Sequence, residues 1–159
     1  MRIKIILVGK IKEKYLLVGI AEYLKRLGPY AKVEITYLAD EPIPEGASVA
    51  QEQQVKAREG ERVLSQVDPG HFVIALDLRG QTMSSEELAA FIAERSLRGQ
   101  SSIAFVIGGS LGLAPQVLQR ADYKLSLGKM TFLHQMVPLI LLEQVYRGFK
   151  INRGEPYHK

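Results

Sequence analysis

The chain contains no cysteine. That excludes disulfides, thiolate nucleophiles and cysteine-ligated metal centres, and it accords with a cytoplasmic location. Histidine is scarce too. His71, His134 and His158 are scattered and lack the paired spacing of a zinc site. No apolar run approaches the roughly 20 residues of a membrane span. The opening "MRIKIILVGK" carries a basic residue and a short apolar run. It is too short for a signal peptide and has no small-residue cleavage site, so it reads as a first buried strand. Low-complexity tracts are absent as well. Neither a metal nor a membrane is expected among the partners.

What is present is ordinary globular material. With 159 residues, 47% hydrophobic and 24% charged, the chain suits a single domain over 1–159 with a real core. The net charge of +4 is mild, but its distribution is uneven. Residues 146–159, "YRGFKINRGEPYHK", hold Arg147, Lys150, Arg153 and Lys159 against Glu155, with Tyr146, Phe149 and Tyr157 interleaved. Cations among aromatics suit phosphate pairing with base stacking. The plain alternative is a solvated C-terminal tail.

Periodicity supplies the elements. Apolar strands are expected at 2–9, 32–40, 71–80 and 101–109, with a short strand and a loop within 122–132. Helical spacing marks Leu16, Ile20, Tyr23, Leu24 and Leu27, closed by Gly28-Pro29. A polar helix with a thin apolar stripe is expected over 49–67, where Glu52 and Lys56 can pair. Ser84-x-x-Glu87 is a capping box that opens another helix. A short helix begins near Pro115. The last helix follows His134 and is apolar on every side from Met136 to Leu142 apart from Pro138. A helix apolar all round must be covered all round, and the expected cover is a second subunit. Alternating strands and helices predict an α/β fold, an open and largely parallel sheet with helices on both faces.

Glycine-containing junctions follow strands at 77–80, 108–112 and 127–131. Ligands in such sheets sit at the carboxyl ends of strands. The dinucleotide fingerprint fails, because Gly108, Gly109 and Gly112 have the wrong spacing. The phosphate-cradling loop fails too, because Met130 separates Lys129 from Thr131. The junctions are therefore tight turns, or they converge on a ligand without phosphates.

Taken in order, "LVGK", "EYLKRLGPY", "IALDLRG", "FVIGGSLGL", "LSLGKMTFLHQM", "EQVYR" and "GEPYHK" resemble the RlmH family of ribosomal RNA large-subunit methyltransferases, in the SPOUT superfamily. The resemblance spans essentially the whole chain. It implies a C-terminal trefoil knot, a homodimer with the active site at the subunit interface, and S-adenosylmethionine as cofactor. The implied substrate is a pseudouridine of 23S rRNA, methylated on N3 in the ribosome. Carried over by position, the cofactor pocket comprises Leu76, Gly108 with Gly109, and the run Leu127, Gly128, Lys129, Met130, Thr131 and Phe132.

In the same frame His158 is the candidate base, since its ordinary pKa lies near neutrality. Tyr157 is placed to stack on or hydrogen-bond the target base. Glu143 and Arg147, four residues apart on a helix, form either a structural pair or part of the site. Arg147, Lys150, Arg153 and Lys159 are the candidate RNA contacts. His134 reads as a satisfied core or interface histidine.

Three positions depart from the family pattern. Leu133 precedes His134 where the family often has proline, and Pro138 stands where a basic residue is expected. The regular helix is then expected to start near Pro138, a first-turn position proline tolerates. Some members end in arginine where this chain has Lys159, which lacks the bidentate fork. Alternatives left open are a SPOUT enzyme with another RNA target and a non-catalytic ribosome-binding protein.

Overall fold

A computed structural model describes residues 1–158. Along the chain it forms β1 (Arg2–Val8), α1 (Lys14–Leu27), β2 (Lys32–Leu38), α2 (Val49–Leu64) and β3 (Phe72–Thr82). Then come α3 (Ser85–Leu97), β4 (Ser102–Ile107), α4 (Pro115–Arg120), β5 (Tyr123–Ser126), a 3-10 turn at His134–Met136 and α5 (Val137–Asn152). The sheet is five-stranded in the order β2-β1-β4-β3-β5, and every pairing is parallel.

Successive side chains of a strand point to opposite faces, and the central strands thereby build two cores. Ile3, Ile5, Leu7, Ile103, Phe105 and Ile107 meet Leu16 and Ile20 of α1, Leu88 and Ile92 of α3, and Leu141, Leu142 and Val145 of α5. Ile6, Val8, Val73, Ala104 and Val106 meet Val63 of α2 and Val117 of α4. Larger side chains face the layer with more helices. Burial on both faces explains why these strands are continuously apolar rather than alternating.

Local signals hold at the helix ends. Both α2 and α3 open with capping boxes, Ser48 with Gln51 and Ser84 with Glu87. Helix α2 stops at Leu64 instead of Val67, and no Glu52–Lys56 ion pair forms among the described residues, since Lys56 lines a cavity at the strand ends. Pro138 lies in the first turn of α5, as the sequence requires. On that helix Pro138, Leu141, Leu142 and Val145 are buried within the chain itself, so a good part of its apolar girdle is covered without a second subunit.

Strand β3 does not end at Asp77–Gly80. Leu125 of β5 is matched to both Leu76 and Gln81, so residues 77–80 bulge out and pairing then resumes. The Asp77 carboxylate accepts the Arg79 N–H at 3.1 Å within that bulge. After β5 the chain crosses back over the strand ends. His134 Nε2 reaches the Val8 carbonyl at 2.8 Å, and the Lys12 N–H donates to Gln135 Oε1 at 2.7 Å. The segment that leaves the β5 edge is thus pinned beside β1. His134 is a satisfied histidine.

Candidate active site

Crossing and bulge together enclose a cavity of about 500 Å³ at the carboxyl ends of the strands. Its walls are Leu76–Arg79, Ile107–Leu113 and Leu127 to Phe132, so all the glycine junctions of the sequence meet there. Leu76, Gly108, Gly109, Leu127, Gly128, Met130, Thr131 and Phe132 all line it. Lys129 does not: it is exposed and outside the lining. The walls are mainly apolar side chains and glycine backbone, with Lys56 and Arg79 as the cations among them.

Close packing explains the central glycines. A Cβ on Gly108 would stand 2.9 Å from the Gly112 carbonyl carbon and 3.0 Å from Leu113 Cδ2. A Cβ on Gly109 would stand 3.0 Å from Glu59 Oε2. Glu59 therefore fills the space behind the loop. It is only 6% exposed, and its hydrogen bond is from the Glu41 N–H at 3.1 Å. Burial without a bonded cation pushes this carboxyl up from its ordinary value, partly offset by that N–H. Sequence reading missed Glu59, because a carboxylate in a polar helix looks like part of a solvated face.

A second constellation lies on α1, α3, α5 and the chain's last turn. Arg147 donates to Glu143 Oε1 from Nη2 at 2.6 Å and from Nε at 3.1 Å. Tyr157 donates to the same oxygen at 3.1 Å, and the Tyr23 hydroxyl lies 3.0 Å from the Tyr157 hydroxyl. The Tyr157 ring packs edge-on against Tyr146, centroids 4.9 Å apart, with the Arg147 guanidinium 4.8 Å over it. Burial first, then contact with Tyr23 and Glu143, pushes the Tyr157 phenol well above its ordinary value. Tyr157 is a neutral hydrogen-bond donor and not a base. The Glu143 bonds also raise Arg147, which keeps it a fixed cation.

His158 bridges two groups, with Nε2 2.8 Å from Glu86 Oε1 and Nδ1 3.3 Å from Arg147 Nη1. The partners assign the tautomer: Nε2–H donates to the carboxylate, and the Nδ1 lone pair faces arginine. Glu86 is held below the ordinary carboxylate range by its own backbone N–H, by Ser84 and by His158.

The expected RNA cations divide. Lys150 Nζ bonds Glu155 at 2.6 Å and the Tyr30 hydroxyl at 3.3 Å. Its charge is met inside the chain, where it ties the tail to the turn after α1. Arg153 is half exposed, its guanidinium 4.4 Å over Tyr30. Lys159 lies outside the described residues. The tail up to His158 is docked and is not a solvated appendage.

A family model described as "Predicted SPOUT methyltransferase" matches residues 1–158. The chain belongs to the SPOUT methyltransferase family. It is 68% identical over 161 residues to "Ribosomal RNA large subunit methyltransferase H" of Symbiobacterium thermophilum, covering 100% of both chains. It is 60% identical over 159 residues, again 100% of both, to the protein of that name in Carboxydothermus hydrogenoformans. Within the SPOUT family the chain thus falls in the RlmH group. Among solved structures, a probable methylase family protein from Haemophilus influenzae aligns with TM-score 0.53 and 16% identity, over 99% of this chain and 70% of that one. The A. aeolicus TrmH/SpoU tRNA modifying enzyme aligns with TM-score 0.51 and 16% identity, over 95% of this SPOUT chain and 77% of its own. At such identity the likeness is one of fold.

Proposed function

We propose that this chain is an S-adenosylmethionine-dependent methyltransferase acting on N3 of a pseudouridine in the 23S rRNA of the assembled ribosome. In this reading it works in the cytoplasm as a homodimer whose C-terminal part is threaded into a trefoil knot. The observation that carries it is the cavity, in a chain whose full-length relatives are named as ribosomal RNA methyltransferases. The cofactor has an adenosine and a charged amino-acid end but no phosphate. Walls of glycine backbone and apolar side chains fit the nucleoside, and a Cβ at Gly108 would press into the loop that forms them. Leu76 packs against the base, while backbone of 127–132 supplies donors and acceptors to it. When bound, S-adenosylmethionine supplies an electrophilic methyl group.

The knot reading rests on the passage of the segment after β5 over the strand ends to Val8. Dimerisation is supported by two features. Tyr15 and Val18 on α1 are 61% and 70% exposed, and Leu139 and Ile140 of α5 are only partly buried. Moreover, the tail constellation does not touch the cavity of its own chain. Val137 lines the cavity, and Arg147 stands roughly 15 Å further along the helix at about 1.5 Å per residue. A second protomer brings one tail to the other cavity.

Pseudouridine N3 bears a proton between two carbonyls and becomes nucleophilic as that proton leaves. His158 takes it on Nδ1, the nitrogen that carries the lone pair, when the target displaces Arg147 from it. Glu86 on the opposite nitrogen then stabilises the imidazolium. Freed from His158 but still held by Glu143, Arg147 offers charge to the anionic ring or a phosphate. Tyr157 presents its face to the base.

Two measurements test the function. S-adenosylhomocysteine must raise the melting temperature while ATP and NAD do not. Mass spectrometry of rRNA from a deletion strain must show the loss of one N3-methylated pseudouridine. A ligand-insensitive melting curve together with unchanged rRNA contradicts the reading.

A further inference from the structure

Tyr23 on α1 belongs to no glycine loop and lies far along the sequence from the tail. Its hydroxyl nevertheless ends a hydrogen-bond chain whose direction can be read. Glu143 Oε1 accepts from Arg147 and can donate to nothing as a carboxylate. The single Tyr157 proton therefore points to Glu143 at 3.1 Å. A phenol has one proton to give, so the 3.0 Å contact between the two tyrosines runs the other way, with Tyr23 donating to Tyr157.

We infer that Tyr23 is a positioning residue for the methyl-transfer site: it fixes the Tyr157 phenol, and with it His158, by donating to the Tyr157 oxygen. This rests on the reading of Tyr157 and His158 as site residues. The Tyr157 oxygen is thereby held from two sides, by an acceptor on α5 and a donor on α1. Its ring is held from two more, by Tyr146 and Arg147. The Tyr23 ring has its own support, edge-on to Tyr146 at 5.9 Å and beneath Arg26 at 5.4 Å. Removing only the hydroxyl of Tyr23 therefore leaves ring packing in place and frees one rotor. His158 follows Tyr157 directly, so loosening the phenol moves the base from its seat between Glu86 and Arg147.

The test compares Tyr23→Phe, Tyr157→Phe and the double variant in the full-length protein. Single-turnover methylation of ribosomes is expected to fall about three- to tenfold in Tyr23→Phe, the worth of one hydrogen bond. S-adenosylhomocysteine affinity should stay unchanged. The double variant should be no slower than Tyr157→Phe alone, since both remove the same link. Hydrogen exchange of the Glu155, Tyr157 and His158 amides should quicken in Tyr23→Phe, a readout that needs no activity. Wild-type rate with unchanged exchange, effects that multiply in the double variant, or a parallel loss of cofactor-analogue affinity overturns the assignment. If the wild-type protein methylates nothing while exchange still responds to Tyr23→Phe, the proposed function fails and the contact stands as a tail anchor without a catalytic role.

Discussion

The cavity at the ends of β3, β4 and β5 is walled by glycine backbone and apolar side chains, whereas the constellation on α1, α3 and α5 is a web of phenols and ion pairs. Backbone walls leave few positions where one side chain matters. Gly108 is such a position, because a Cβ there meets the Gly112 main chain. A side-chain web can be altered one hydrogen bond at a time, so its effects should be graded. The first region is suited to holding a ligand. The second is suited to moving a proton and holding a charge.

The largest effect is expected at Gly108. In Gly108→Leu the new side chain starts 2.9 Å from the Gly112 backbone, so S-adenosylhomocysteine should give no thermal shift while the ligand-free protein still folds. A retained shift would erase the contrast between the regions. Next is His158→Ala, for which single-turnover methylation should fall by about 10²-fold, within the usual range of general base catalysis. Its cofactor-analogue affinity, by calorimetry, should match wild type. An unchanged rate would remove the base from the tail.

A smaller effect is expected behind the glycine loop. Because burial raises the folded-state pKa of Glu59, the folded protein binds its proton more tightly than the unfolded chain. The sign follows: stability falls as pH rises from the unfolded value through the raised one. Glu59→Gln removes that loss. It should melt about 2–4 °C higher near neutral pH, the effect of roughly 1 kcal/mol in a chain this size, and the gap should close towards pH 4. A gap that widens on acidification would mean a stabilising, ionised Glu59. The smallest effect belongs to exposed Arg153. Arg153→Ala should lower the salt slope of ribosome binding by about one phosphate contact, while Lys150→Ala should act through tail stability instead.

Much of the cavity was legible in residues 105–115. A strand that stops at Gly108-Gly109 signals close backbone approach, and the broken phosphate motifs pointed away from a phosphate cradle. Lys129 was carried over with its neighbours, yet it is exposed and outside the lining. The bulge at 77–80 was hidden. "LDLRG" reads as a strand end, and only pairing of Leu125 with both Leu76 and Gln81 keeps β3 running. The partners of Lys150, Tyr30 and Glu155, were hidden too, because they are supplied by a loop after α1 and by the fold of the tail. Tyr23 gave no signal beyond a place on the apolar stripe of α1, where its hydroxyl has no visible partner until α5 packs beside it.

The sequence by itself determined the parallel α/β architecture, the two-faced core, the helix caps and the glycine positions. Each follows from neighbours a few residues apart, through strand alternation, helical spacing or local backbone freedom. Tertiary structure alone decided which junctions share a cavity, where the chain crosses back over the sheet, and which charges are already spent. Those depend on contacts between segments as distant as Val8 and His134, or Tyr23 and Tyr157. No local pattern encodes such pairs, because the energy that selects them comes from burying whole faces of the sheet and helices at once.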